Sequence, residues 1–160
     1  MTPWSAFLPD VLPFVPSTSE PMAEHAIRRA AQEFCRLTRV WRVELPAITT
    51  AAADLSYPLA LTDTTLVRLE SAMLDAEPLA VWRDGDAESS GRFAYTNDGQ
   101  SVVLSFDPGA ARQLVLTVTV QPSNTATGLD DFLYTMYAEV IAHGAIARIG
   151  GDPVKQGMFE

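Results

Sequence analysis

The two histidines are the first side chains in this 160-residue chain whose chemistry could define a site. His25 and His143 fall in two separate segments that both have helical spacing. Two histidines that meet across packed helices could bind a metal ion, but no cysteine nearby and no partner one helical turn away completes a ligand set. We therefore expect structural or surface roles for both histidines and predict no metal site.

Cys35 is the only cysteine, which excludes an intrachain disulfide and a cluster of thiolate ligands. The residue follows Phe34 in a segment with helical spacing. We interpret it as a small buried hydrophobic residue rather than as a nucleophile. A single thiol suits a reducing cytoplasm, or a particle assembled in one.

Acidic side chains cluster at two places, and each cluster has a simple structural explanation. Asp84, Asp86 and Glu88 resemble a fragment of a calcium loop but lack its ligand spacing and terminal bidentate glutamate, so we predict a solvated turn. Asp130 and Asp131 are adjacent at a predicted helix start and would point apart, which favours capping over a catalytic pair. Glycine-rich phosphate loops, G-x-S-x-G and H-E-x-x-H are all missing from the sequence. The sequence thus predicts no catalytic residue and no cofactor, and a protein that is not an enzyme.

Two segments with helical spacing must carry most of these side chains. The spacing predicts a helix over about 20–40, with an apolar stripe formed by Ala23, Ile27, Ala30, Phe34, Leu37 and Trp41. Most of its polar side chains fall elsewhere, as a solvated or partner-facing side requires: Arg28, Gln32, Arg36 and Arg39. A second helix is predicted over 130–149, with a broad apolar face, before the glycines and proline of "GGDP".

The chain between the helices has strand character. We predict a short strand around Trp41–Leu45 and further strands in "TTLVRLESAML", "PLAVWR", "QSVVLSF" and "RQLVLTVTVQP". The turn "DPGAAR" predicts that the last two form an antiparallel hairpin. The predicted fold is therefore α+β: two packed helices with an inserted antiparallel β-sheet or small sandwich over 41–125. We expect a single domain over 1–160, with an extended tail over 150–160.

The net charge of −9 is unevenly distributed along the chain. Residues 1–48 carry five basic and five acidic side chains, whereas residues 49–131 carry four basic and twelve acidic ones. An acidic segment repels phosphate, which argues against tight nucleic-acid binding but suits a surface past which DNA must slide. The N-terminus lacks a secretory signal and no stretch is long enough for a membrane span, so we expect a soluble intracellular protein with no membrane partner.

The opening strip "WSAFLPDVLPFVP" is apolar and contains three prolines. We predict an extended arm over 1–18, because the proline spacing disfavours a helix. Its large side chains would be buried in their own core or against a neighbouring subunit, and the sequence favours neither: Trp4, Phe7, Leu8 and Phe14. In the tail, Met158 and Phe159 are further candidates for contact with a subunit or partner.

The segments "FLPDVLPFVPSTSEPMAEHAIRRAAQEFC" and "TGLDDFLYTMYAEVIAHGAIARI", separated by a β-rich middle, resemble tailed-bacteriophage head-to-tail adaptors, also called connectors or head-completion proteins. The resemblance rests on these two segments and on patterns of hydrophobicity and turns. It implies a structural virion protein of the neck, assembled in the host cytoplasm. It also implies a homo-oligomeric ring, commonly of twelve subunits, that contacts the portal and a tail or nozzle protein.

In such a ring, DNA passes through the channel without specific binding. A terminal arm or tail would reach the portal or an adjacent subunit. The alternatives are a tail terminator or another tail-completion subunit and, less favoured, a small ligand-binding α+β domain. The last of these requires a concave pocket with convergent polar groups.

Overall fold

The computed structural model describes residues 1–86 and 91–150, and helices and strands both contribute to it. The predicted α+β class is confirmed. The chain divides into two compact units. The helical unit contains Met1–Trp41 and the chain from Gln121 onwards, and the strand unit contains Arg42–Val120.

The elements follow one another along the chain as helical, strand and helical blocks. They are β1 (Thr2–Pro3), α1 (Leu8–Val11), α2 (Glu20–Thr38), β2 (Arg42–Glu44), β3 (Ile48–Thr49), β4 (Ser56–Pro58), β5 (Thr64–Leu74), β6 (Glu77–Val81), β7 (Phe93–Tyr95), β8 (Ser101–Leu104), β9 (Gln113–Pro122), β10 (Gly128–Leu129) and α3 (Asp131–Gly150). Two 3₁₀ turns, Trp4–Phe7 and Leu12–Phe14, flank α1.

Helix α2 begins and ends at residues that suit helix termini. The Ser19 hydroxyl accepts a hydrogen bond from the backbone N–H of Met22 (3.4 Å), and Pro21 occupies the first turn, where its missing N–H has no cost. At the other end Arg39 adopts the left-handed conformation with φ 53°, and its N–H bonds to the Cys35 carbonyl (2.9 Å). The helix therefore ends at Thr38, two residues before the predicted boundary.

Most of the predicted apolar stripe of α2 is buried, namely Ala23, Ile27, Ala30 and Phe34. Leu37 is an exception, with 52% of its surface exposed. It lies in the last turn and at the edge of the stripe, so the stripe is not buried along its whole length. The exposed Leu37 becomes part of the outer face of the helix.

Helices α2 and α3 pack against each other within the helical unit. The rings of Phe34 and Tyr137 lie 4.9 Å apart between centroids. One ion pair, between Glu33 and Arg148, also joins the two helices. Along α3 most residues from Ile141 to Ala147 are buried.

The prediction of an extended arm over 1–18 was wrong. Residues from Trp4 to Phe14 form three consecutive helical turns. Pro9 and Pro13 are the second residues of the second and third turns, where a fixed φ fits and no N–H is needed. Each proline therefore suits the beginning of a turn, and the closely spaced prolines keep every turn short.

Strand β1 pairs antiparallel with β10, and this pairing depends on Gly128. A Cβ added at Gly128 would overlap the carbonyl oxygen of Thr2 and lie 2.9 Å from its carbonyl carbon. Because both contacts are backbone atoms, a side chain fits only if β1 moves away.

We expect Gly128→Ala to destabilise the protein by about 1–3 kcal/mol through this overlap. Thermal unfolding followed by circular dichroism measures the loss. Gly99→Ala is a contrasting variant, because φ is 73° at that turn and no atom lies within 4 Å of the added Cβ. Proteolysis should remove the N-terminal residues faster from Gly128→Ala than from Gly99→Ala. Equal cleavage rates would contradict the steric explanation.

The strand unit is one eight-stranded arrangement in the order β2-β9-β5-β6-β7-β8-β4, with β3 also paired to β9. Alternate residues along β9 face its core, and Leu114, Leu116, Val118 and Val120 are all buried. The pairing of β6 with β7 is parallel, which departs from the antiparallel sheet expected from the sequence.

The predicted hairpin between "QSVVLSF" and "RQLVLTVTVQP" was wrong. Strand β8 pairs with β7 and β4, whereas β9 pairs with β2, β3 and β5. The turn that connects β8 to β9 is hydrogen-bonded to a distant part of the chain. The Asp107 carboxylate accepts hydrogen bonds from the N–H groups of Ala53 and Gly109 (both 2.8 Å). The turn is thereby held to the loop before β4.

Candidate functional site

The predicted contact residues Trp4 and Phe7 are buried in the helical unit. The Trp4 indole Nε1 donates a hydrogen bond to the Ala126 carbonyl (2.8 Å). Phe7 has no exposed surface, and its ring meets Tyr134 edge-on, with centroids 5.0 Å apart. Of the two burial partners that the sequence left open, these side chains use their own core. They therefore present no surface to another subunit or to a portal.

The remaining predicted contact residues differ in exposure. Leu8 is half-buried, whereas Phe14 keeps 62% of its surface exposed. Met158 and Phe159 lie outside the described residues. Phe14 is thus the one of the four N-terminal candidates whose ring is mostly accessible.

The two histidines contact residues of their own helices. His25 Nδ1 lies 3.1 Å from a guanidinium nitrogen of Arg28, and His143 Nε2 lies 4.0 Å from the Glu139 carboxylate. Within residues 1–86 and 91–150, no group of three or more His, Cys, Asp or Glu side chains could hold a metal ion.

The interpretation of Cys35 as a buried hydrophobic residue is confirmed. Its side chain has no exposed surface, and burial raises the pKa of the thiol to about 12. Because the thiolate is the reactive species, a thiol with this pKa is inert near neutral pH.

We expect Cys35 to resist a disulfide reagent such as DTNB in the folded protein at pH 8. The same thiol should react within minutes in 6 M guanidinium chloride, which serves as the control for reagent and protein concentration. Rapid stoichiometric reaction of the native protein would contradict the burial of this side chain.

Asp86 and Asp130 bond within their own turn or helix cap, whereas Asp131 bonds to the N-terminal residues Met1 and Thr2. Asp86 accepts a hydrogen bond from the Arg83 N–H (2.9 Å), while Glu88 lies outside the described residues. Asp130 accepts from the Phe132 N–H (3.1 Å) at the start of α3. The pKa of Asp131 is lowered because its carboxylate accepts from the Thr2 hydroxyl (2.8 Å) and faces the amino group of Met1 (3.1 Å).

A cavity of about 500 Å³ in the strand unit contains one ionisable side chain among its lining residues, which are Leu59, Leu61, Thr64, Thr65, Leu66, Asp98, Gly99 and Gln100. The Asp98 carboxylate accepts hydrogen bonds from the N–H groups of Gln100 and Ser101, which lower its pKa. This carboxylate stabilises the turn between β7 and β8.

Helix α3 carries an exposed apolar strip, formed by Phe132 and Met136. The two residues are one turn apart and therefore lie on the same face. Phe132 is 42% exposed and Met136 is 67% exposed. This face is turned away from the side that carries Tyr137 and Arg148, which contact α2.

Large exposed apolar side chains are concentrated in the helical unit. Of the eight among the described residues, six belong to it: Met1, Phe14, Met22, Leu37, Phe132 and Met136. The other two, Leu55 and Met73, belong to the strand unit. Of these six, Phe132 and Met136 are neighbours on one helix face, and adjacent exposed apolar side chains are typical of interaction sites.

A second feature of the helical unit is a polar cavity of about 320 Å³, the arginine groove. Its lining residues are Arg29, Gln32, Glu33, Arg36, Gln121, Asn124 and Arg148. Four of them lie on α2 three, four and seven residues along from the first, so they lie on one side of that helix. Arg148 comes from α3, Gln121 comes from the end of β9, and Asn124 comes from the loop after β9.

Gln32 forms the fixed floor of the arginine groove, because its side chain is buried and fully bonded. Its Nε2 donates to the Pro122 carbonyl (2.9 Å) and to Asn124 Oδ1 (3.0 Å). Its Oε1 accepts from Arg29 (3.4 Å). The bonds to Pro122 and Asn124 link residues about ninety positions apart in the sequence.

The arginine groove carries excess positive charge. Glu33 pairs with Arg148, which leaves the charges of Arg29 and Arg36 without a carboxylate partner in the described parts of the chain. Three arginines and one glutamate give the groove a formal charge of +2 in a chain of −9. The prediction of a solvated or partner-facing side chain fits the exposed Arg36 but was wrong for Gln32, which is buried because it bonds to Pro122 and Asn124. The groove itself was not predicted.

No protein-family model matches the chain, and no curated protein is significantly similar to it. Among the described residues, no helix is both long enough and apolar enough to cross a membrane.

Proposed function

We propose that the chain is a structural subunit of a tailed-bacteriophage particle: a ring-forming head-to-tail adaptor that joins the portal to the tail. The observation that carries the proposal is the apolar strip of α3. Two large apolar side chains exposed side by side on the solvent face of a helix are typical of a surface covered by another chain. A ring of identical subunits supplies that cover.

The charge of the strand unit supports the second part of the proposal. Arg42–Val120 contains eleven acidic and five basic side chains, a net charge of −6. An acidic surface along a channel repels the phosphates of DNA, so that DNA passes without binding. The proposal assigns this unit, rather than the helical unit, to the channel wall.

Sedimentation velocity of the purified protein over a range of concentrations tests the assembly, and electron microscopy of the same samples tests its shape. We expect a discrete oligomer of about twelve subunits with a central hole. A species that stays monomeric up to about 100 µM would overturn the proposal, as would open filaments without rings.

Immunogold labelling of the virus particle that contains this chain tests its position. Label at the junction of head and tail supports the adaptor. Label at the far end of the tail, or no label on the particle, contradicts it.

A further inference from the structure

We infer that the arginine groove binds carboxylates on the acidic strand unit of a second copy of this chain. The inference rests on the proposed function, because it needs a homo-oligomer, and it names the surface that joins neighbouring subunits. Charge complementarity identifies the occupant, because the groove has a formal charge of +2 and the strand unit has a net charge of −6.

The chemistry of the groove favours a carboxylate. A guanidinium is planar and presents paired N–H donors that match the two oxygens of a carboxylate. Arg29 and Arg36 are two turns apart on α2 and are both exposed, so each can reach an incoming group. The amides of Gln121 and Asn124 add polar groups to the same wall.

The groove is also prepared for binding by the bonds already described. Gln32 is held in place by three hydrogen bonds, and the pairing of Glu33 with Arg148 fixes the side of the groove that α3 supplies. A site whose groups are held in place before binding loses less conformational entropy when a partner arrives.

The outer face of α2 extends the groove with apolar surface. Met22 and Leu37 are exposed, and both lie within about 100° of Arg29 and Arg36 around the helix axis. Apolar contacts around a charged centre are typical of protein interfaces, in which they exclude water from the charges. This apolar surface therefore favours a protein over a nucleic acid as the occupant of the groove.

Groove and acidic unit are different surfaces of one subunit, so their contact is heterologous. Such a contact repeats from copy to copy and closes into a ring when the rotation permits. The α3 strip lies on the side of α3 opposite Arg148, and it remains available for a separate contact.

The test compares two double variants. The groove variant carries Arg29→Gln and Arg36→Gln, and the control carries Arg28→Gln and Arg39→Gln. Both double variants lose the same charge from the same region, but the control residues do not line the groove. Sedimentation velocity at several salt concentrations measures assembly, and circular dichroism verifies folding. We expect association of the groove variant to weaken about 3- to 30-fold and to lose most of its salt dependence. The control should assemble like the original chain.

Mixing provides a second measurement. A copy with Arg29→Glu and Arg36→Glu still presents its acidic unit, so it can occupy a neighbour's groove but cannot bind the next copy. Added to the original chain, it should shorten the assemblies in proportion to its amount. An original chain that is monomeric would overturn the proposed function together with this inference.

Unchanged assembly of the groove variant, when the original chain does assemble, would overturn the inference alone. Binding of duplex DNA that is lost in the groove variant, with assembly unchanged, would also overturn it and identify phosphate as the ligand. A mobility shift of a 30-base-pair duplex at 50 mM NaCl supplies that comparison.

Discussion

Replacing Phe7 by alanine is expected to lower the free energy of unfolding by about 3–5 kcal/mol. Phe7 has no exposed surface and its ring contacts Tyr134 of α3, so truncation leaves a cavity where the first turns meet that helix. Urea unfolding followed by tryptophan fluorescence measures the loss. A loss of this size is a large fraction of the free energy of unfolding of a typical domain.

Phe14→Ala is the matched control, because it removes the same ring from the same segment. Phe14 is mostly exposed, so its loss should cost less than about 1 kcal/mol. Equal effects of the two substitutions would contradict the placement of Phe7 in the core and of Phe14 at the surface.

The burial of Trp4 and Phe7 decides between the two burial partners that the sequence left open. Removal of an extended arm would weaken assembly more than folding of the remaining domain. Because these side chains belong to the core of the helical unit, removal of residues 1–16 should unfold that unit. Proline frequency could not distinguish the two cases, since Pro9 and Pro13 suit either an extended chain or the beginning of a helical turn.

The helices were well predicted because their signals are local. Ser19, Pro21 and the periodic apolar residues define α2 within a few residues of its observed bounds. Strand β9 was equally clear, because Leu114 and Leu116 alternate with polar or half-buried neighbours. Local patterns of this kind need no knowledge of the rest of the fold.

Strand pairing and the arginine groove were not predictable from local patterns. Adjacent strands and a reverse turn predicted a hairpin, but Asp107 bonds to Ala53, which is far away in sequence. The groove likewise depends on Gln32 meeting Asn124, and on Glu33 meeting Arg148. The spacing of Arg29 and Arg36 on one helix face was visible in the sequence, but not the residues opposite them.

Replacing Met136 by aspartate is expected to weaken assembly about 100-fold or more without unfolding the subunit. The side chain is 67% exposed in the single chain, so the substitution should change folding stability by about 0.5 kcal/mol or less. In the proposed assembly the same position is covered by a neighbour, and a buried carboxylate without a partner is strongly unfavourable. Sedimentation velocity measures the association, and circular dichroism verifies the fold.

Met73→Asp is the matched control, because Met73 is also exposed but lies on β5 in the strand unit. We expect it to assemble normally, and we expect Met136→Leu to retain assembly, since leucine keeps the apolar surface without the charge. Loss of assembly in Met73→Asp but not in Met136→Asp would place the apolar contact on β5 rather than on α3. Equal assembly of all three variants and the original chain would show that the apolar strip of α3 is not an interface, and the proposed ring would lose the observation on which it depends.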